Sequence, residues 1–229
     1  MPTNVAVIRF PGTNCEFDVV EVVQQLGASA EIVFHDEPSL GNADAVVVAG
    51  GFAHGDYLRP GAIARFSPVM DAVAAFAQEG GPVVGICNGF QVLTEAHLLP
   101  GALQKNAGLK FRCGFTDLRV ESSNSVLTSA VTPGDILSIP INHFEGNYTC
   151  SLETLAELQS EDRILFRYVT NPNGSMDDIA GICNEGRNVV GLMPHPERAC
   201  HDLLGSHDGI NLMQSLLNAA GLSSVQGPS

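Results

Sequence analysis

Four short stretches, Val5–Phe10, Ala45–Ala49, Val83–Ile86 and Asn188–Met193, are apolar almost without interruption and rich in valine and isoleucine. A strand with no polar face has to be covered on both sides, as parallel strands are when packed between helices. The segments between them agree. Val19, Val22, Val23 and Leu26 recur at helical spacing, with Thr13 or Asn14 placed to cap the helix and Gly27 to stop it. Ala30–Phe34 reads as a further strand, and Gly61–Gln78 as one helix burying Ile63, Phe66, Met70, Val73 and Phe76 or Ala77. The predicted fold class is α/β: a doubly wound, mostly parallel sheet flanked by helices. The second half differs. Leu109–Val120, Ile136–Ile141, Arg163–Val169 and Ile179–Cys183 are short strand-like pieces between turn residues such as Asn171-Pro172-Asn173-Gly174. They predict a smaller β-rich portion, followed by a last helix at Gly209–Ala219. Residues 1–229 fit a single domain, and only the tail 221–229 suggests disorder by composition.

Charge excludes several functions. The formal net charge is −14, with only two lysines, Lys105 and Lys110, so no nucleic acid partner is expected. No Gly-Lys-[Ser/Thr] occurs, which excludes a P-loop. No apolar run is long enough for a membrane span, and Met1-Pro2-Thr3-Asn4 does not resemble the start of a signal peptide. The expectation is a cytoplasmic protein with no membrane association. Six scattered cysteines without a C-x-x-C pair read as reduced thiols.

The run Val83–Ile86 leads into Gly85-Ile86-Cys87-Asn88-Gly89, and the residues after it return to helical spacing. Two glycines around a nucleophile at a strand-to-helix junction predict a sharp turn that lifts the side chain off the sheet, a nucleophile elbow with cysteine in place of serine. A thiol of ordinary pKa, roughly 8.5, is only a few per cent thiolate at neutral pH, and a helix N-terminus lowers that by about one unit at best. A histidine base is therefore required, and the histidine needs an orienting acceptor. His143-Phe144-Glu145 and His195-Pro196-Glu197 both offer the pair. Pro196 favours an extended His195, which sets His195 and Glu197 side by side, and the apolar strand before them aims them at the same sheet rim as Cys87. The second pair is preferred for that reason. His195, Glu197, Cys200, His201 and His207 also crowd together, but without standard ligand spacing, so no metal is expected. Gly50-Gly51-Phe52 opens a glycine-rich loop, running to Gly61, at the end of another buried strand and reads as a ligand loop carrying His54, Asp56 and Arg59.

Gly85–Gln91 together with His195-Pro196-Glu197 resembles the class I, triad-type glutamine amidotransferases. Arg9–Cys15, Gly50-Gly51-Phe52 with Gly55–Arg59, Gly61–Phe66, Met193–Ala199 and Leu203–Ser206 narrow the resemblance to the family of small glutaminase subunits of phosphoribosylformylglycinamidine synthases. The resemblance implies that Cys87 attacks L-glutamine to form a thioester, that His195 moves the protons and that Glu197 orients His195. It also implies an oxyanion hole of backbone N–H groups at Gly51 or Phe52 and at Asn88, with Gln91 helping to hold the substrate. Ammonia would pass to a large ATP-dependent synthetase subunit acting on phosphoribosylformylglycinamide in purine biosynthesis, with a small accessory subunit completing the complex. No cofactor is expected in this chain, ATP and magnesium belonging to the partner. One segment departs from the family pattern: Asn142-His143-Phe144-Glu145-Gly146 stands where Ala-His-Gly-Glu-Gly is expected, so His143 and Glu145 are left out of the catalytic set. The rival readings are a stand-alone cysteine hydrolase or chaperone-like protein of related fold, in which Asp177 or Asp178 would be the acid, and a non-catalytic interaction subunit.

Overall fold

The computed structural model describes residues 3–56 and 60–222. Tyr57, Leu58 and Arg59 of the glycine-rich loop and the tail from residue 223 lie outside the described residues, with the expectations that fall on them. The elements, in order, are β1 (Asn4–Arg9), α1 (Glu16–Gln25), β2 (Ser29–Phe34), β3 (Ala45–Val48), α2 (Pro60–Ala64), α3 (Pro68–Gln78), β4 (Val83–Ile86), α4 (Asn88–Glu95) and β5 (Ala102–Gln104). They continue with β6 (Arg112–Val120), β7 (Ile136–His143), β8 (Asn147–Thr149), α5 (Leu152–Ser160), β9 (Ile164–Tyr168), β10 (Ile179–Cys183), β11 (Val189–Leu192) and α6 (Ile210–Ala219).

The apolar runs become the centre of a nine-stranded sheet of order β2-β1-β3-β4-β11-β10-β9-β6-β7. The pairings β2-β1, β1-β3, β3-β4 and β4-β11 are parallel, and every residue of β3, β4 and β11 is buried. From β11 onward the pairings are antiparallel, so the β-rich second half extends the same sheet, with β5 and β8 forming a separate two-stranded piece. Burial on both faces follows from the helices: α1 packs on β1 and β2, α6 on α1 and β3, and α4 on β3, β4 and β11. Leu212, Met213, Leu216 and Leu217 of α6 are fully buried, and each such side chain contributes roughly 1.5–3 kcal/mol by leaving water.

Two local expectations are corrected and one element is added. The helix predicted over Gly61–Gln78 is two helices, because Pro68 has no N–H to give and its ring would meet the carbonyl of the preceding turn; Ser67 instead adopts extended angles at the N-cap position of α3, its hydroxyl turned to His35 Nδ1. In consequence Ile63 and Phe66 point outward, Phe66 being 75% exposed, while Met70, Val73 and Ala77 remain buried. The N-cap of α1 is Cys15; Thr13 accepts the Phe10 N–H at 3.1 Å and Asn14 accepts the Cys15 thiol. The helix α5, capped by Ser151 accepting the Thr154 N–H at 3.0 Å, escapes the sequence reading because Leu158 is its one buried residue among those described.

Candidate active site

Because β1, β3, β4 and β11 are parallel neighbours, the loops that follow them leave from one rim of the sheet. Those loops carry Cys15, Gly50-Gly51, Cys87 and His195, and ligands of open α/β sheets bind at such carboxyl ends. The elbow is strained as expected. Cys87 has φ 53° and ψ −106°, and its N–H is fixed to the Leu192 carbonyl at 2.8 Å. Both flanking glycines are required by close approach: a Cβ on Gly89 would lie 1.9 Å from the Val48 oxygen, and one on Gly85 2.6 Å from the Gly89 backbone. Gly50 completes the wall, since a Cβ there would lie 2.9 Å from His195 Cε1 and 3.1 Å from Cys87 Cβ. The histidine ring and the thiol therefore face one another across a bare glycine.

His195 Nδ1 and Glu197 Oε1 are 2.6 Å apart and wholly buried. The pairing is the predicted one, but the backbone differs: Pro196 begins a single helical turn, Pro196–Arg198, capped by His195, rather than continuing extended. The His195 N–H is held by the Pro140 carbonyl at 2.9 Å. Burial opposes charge on the ring, yet Glu197 and the Cys87 sulfur outweigh it, so His195 holds a proton well above its ordinary range. An imidazolium formed by taking the thiol proton is thereby stabilised. Cys87 Sγ also lies 3.8 Å from the Asn142 carbonyl.

The sequence model of the CobB/CobQ-like glutamine amidotransferase domain matches residues 2–209. The chain belongs to this amidotransferase family. It is 55% identical over 216 residues to the phosphoribosylformylglycinamidine synthase subunit PurQ of Rubrobacter xylanophilus, covering 94% of this chain and 98% of that one. To the subunit of the same name in Koribacter versatilis it is 53% identical over 223 residues, covering 93% and 96%. The solved structure of PurLQS from Thermotoga maritima contains a chain that superposes with a TM-score of 0.88 at 40% identity, covering 95% of this chain and 99% of that one.

The remaining expected residues of this amidotransferase lie around the same rim. The Phe52 N–H is engaged by the Gly12 carbonyl at 3.2 Å, whereas no bond to the Gly51 N–H is seen among the described residues; Gly51 has φ 136°. Asn88 Oδ1 accepts the Ala53 N–H at 2.9 Å, Asn88 Nδ2 donates to Gln91 Oε1 at 2.7 Å, and Gln91 Nε2 donates to the Glu145 carbonyl at 2.6 Å. Gln91 thus spends its amide on this relay. His54 packs against Phe10, tilted, and against His35, edge-on, with ring centroids 6.1 Å from each. His143 is buried, not a surface residue; its ring is held by Asn106 Oδ1 at 3.2 Å rather than by Glu145, and burial with His195 nearby lowers its pKa to about 4. Asp177 pairs with Arg167 in the antiparallel extension, so it does not serve as the acid of a hydrolase-type triad. Cys200 donates to the Pro196 carbonyl and His207 pairs with Asp202, which disperses the crowd of ligands seen in the sequence.

Sequence reasoning missed two residues of the amidotransferase site. Asn106, fully buried, accepts the Gly146 N–H at 3.1 Å and donates to the carbonyls of Lys110 and His143, fixing the 143–146 turn. A lone asparagine in a loop gives no pattern to find. Cys15 stands with His195 and Glu197, one ligand atom of each lying within 4.8 Å of the others. Its presence in the Arg9–Cys15 motif was a signal, but only the parallel pairing of β1 and β3 brings it to the rim.

Proposed function

We propose that this chain is the glutaminase subunit of a phosphoribosylformylglycinamidine synthase, hydrolysing L-glutamine and supplying ammonia to an ATP-dependent synthetase subunit in purine biosynthesis. The single observation that carries the reading is the buried His195–Glu197 pair facing a strained cysteine elbow in a chain of this family. The PurQ relatives and the PurLQS complex support the partner assignment: a large synthetase and a small accessory subunit.

In this reading Cys87 Sγ attacks the side-chain amide carbon of glutamine while His195 takes the thiol proton. His195 then gives a proton to the leaving nitrogen, which departs as ammonia, and activates water to split the thioester. Glu197 keeps Nδ1 as the donor to its carboxylate, so that Nε2 faces the reacting groups. The developing oxyanion is received by backbone N–H groups, Gly51 or Phe52 from the β3 loop and Asn88 at the start of α4, and of the first two Gly51 is the less engaged. Gln91 shapes the glutamine site through Asn88 and Glu145. ATP and magnesium act in the synthetase subunit and no cofactor is required in this chain. A cytoplasmic location suits six free cysteines, and no described helix is long and apolar enough to cross a membrane.

Cys87→Ala tests the reading. Glutamine-dependent synthesis by the reconstituted complex should disappear and ammonia-dependent synthesis should persist. Loss of both together would make Cys87 a structural residue, and esterase activity without ammonia release from glutamine would favour a stand-alone hydrolase.

A further inference from the structure

Cys15 reaches the catalytic rim beside His195 and Glu197, and nothing in the hydrolysis of glutamine calls for it. We propose that Cys15, His195 and Glu197 form a site for a thiophilic divalent cation of the zinc type, whose binding removes the catalytic base and switches the glutaminase off. The consequence for turnover rests on His195 being the base; the binding itself does not.

Three observations support the site. One donor atom from each residue lies within 4.8 Å of the other two, and all three residues are 1% exposed. Tetrahedral zinc, with nitrogen and oxygen donors at about 2.0–2.2 Å and sulfur at about 2.3 Å, needs donors about 3.3–3.8 Å apart, so the Nδ1–Oε1 pair, now at 2.6 Å, has to open by roughly 1 Å around the ion while the Cys15 sulfur is already within reach. Second, the nitrogen that faces the carboxylate is Nδ1, 2.6 Å from Glu197 Oε1, so the ion would take the place of the proton in that bond, and Glu197 Oε2 is buried without a hydrogen-bond partner among the described residues. Third, a cavity touches one of the three ligands. A cavity of 260 Å³ between α1 and the 200–204 turn reaches Glu197, and its rim carries Asp18 and Glu21. That acidic rim favours cations, although Asp18 is shared with Arg198 at 2.9 Å.

The chemistry of the donor set selects the metal. A thiolate, an imidazole and a carboxylate suit zinc, while magnesium prefers oxygen ligands alone and keeps its water. Binding displaces the proton of the Cys15 thiol and the proton that His195 Nδ1 shares with Glu197, and the resulting thiolate and the carboxylate together neutralise the dication. The fourth position falls to water. Metal-bound His195 has no lone pair with which to accept a proton from Cys87.

The test reads binding without turnover. Cys87→Ala protein, which lacks the catalytic thiol, is titrated with cobalt(II) as a spectroscopic probe and then with zinc. One equivalent of cobalt should give a thiolate-to-cobalt charge-transfer band that zinc abolishes and millimolar magnesium does not. In the double variants Cys87→Ala/Cys15→Ser and Cys87→Ala/Cys15→Ala the band should vanish and zinc affinity should fall at least about tenfold, the lower end of what losing even an outer-shell partner costs. An unchanged thermal midpoint without metal in either double variant establishes that it is folded. Absence of the band in Cys87→Ala, or its persistence in a folded double variant, overturns the proposal. Neither result depends on whether the protein hydrolyses glutamine.

Discussion

Gln91 donates its side-chain amide to the Glu145 carbonyl at 2.6 Å, and this one bond ties the elbow helix to the turn beyond the edge strand β7. Through Asn88 the same relay continues to the Ala53 N–H in the loop after β3. Three segments that surround Cys87 are therefore set by one buried chain of amides. Gln91→Met keeps the volume and removes the bonds that Gln91 makes with Asn88 Nδ2 and the Glu145 carbonyl. A stability loss of about 1–3 kcal/mol is expected, read from denaturant midpoints. Glutaminase kcat/KM should fall at least about tenfold, since misplacement of groups at a site is costly even from a distance. Unchanged stability would mean that the relay is replaced by water at no cost.

The elbow stores strain that the proposed nucleophile would justify. Cys87, with φ 53°, occupies a region in which a Cβ costs of order 1–3 kcal/mol. Elsewhere in a chain glycine is less stabilising than alanine by about 0.5–1 kcal/mol. Here the order should reverse: Cys87→Gly is expected to be more stable than Cys87→Ala by about 1 kcal/mol, both being inactive. Thermal midpoints of the two variants measure it directly, and a normal alanine-over-glycine order would show the turn to be relaxed.

The parts of this site that were legible in the sequence are those written by local chemistry. The apolar runs revealed parallel strands because a strand without a polar face has few other homes, and the adjacency of His195 and Glu197 revealed their pairing even though the backbone between them is a helical turn rather than extended. Where a local rule was overlooked the reading failed: Pro68 breaks the helix in the middle of an otherwise convincing apolar stripe, and Phe66 is exposed as a result. What could not be read is whatever depends on sheet order. Cys15 joins His195 and Glu197, and Asn142 reaches Cys87, only because distant strands end at the same rim or curl back to it. Asn106 is silent in the sequence for the same reason: its four bonds are all made by the fold around it.

Gly50 and Gly89 should respond differently to the same added methyl group. At Gly89 a Cβ meets the rigid Val48 carbonyl at 1.9 Å, so Gly89→Ala must displace α4 from β3, costing about 1–3 kcal/mol or more. At Gly50 two of the three nearest atoms are the side chains of His195 and Cys87, at 2.9 and 3.1 Å. Gly50→Ala is expected to fold with a modest stability loss and to lower kcat about a hundredfold by pushing base and nucleophile apart. Equal kcat in Gly50→Ala and the parent chain would remove Gly50 from the active-site wall.

His143 sets a pH limit on the fold. Its pKa is lowered from the ordinary 6.5 to about 4 by burial and by His195 nearby, so between these values the unfolded chain binds a proton that the folded chain refuses. Stability rises with pH wherever the unfolded state holds more protons, so this group's contribution is complete above pH 6.5 and is lost as the pH falls towards 4. The loss amounts to about 2 kcal/mol by pH 5 and about 3 kcal/mol in full. His195, with its proton held more tightly when folded, has the opposite sign and stabilises at low pH. His143→Gln retains a partner for Asn106 and has no proton to gain. Urea unfolding at pH 7 and pH 5 should therefore show a fall in stability smaller by about 2 kcal/mol in the variant than in the parent chain. Parallel pH profiles in the two proteins would show that His143 takes up its proton in the folded state as readily as in the unfolded one.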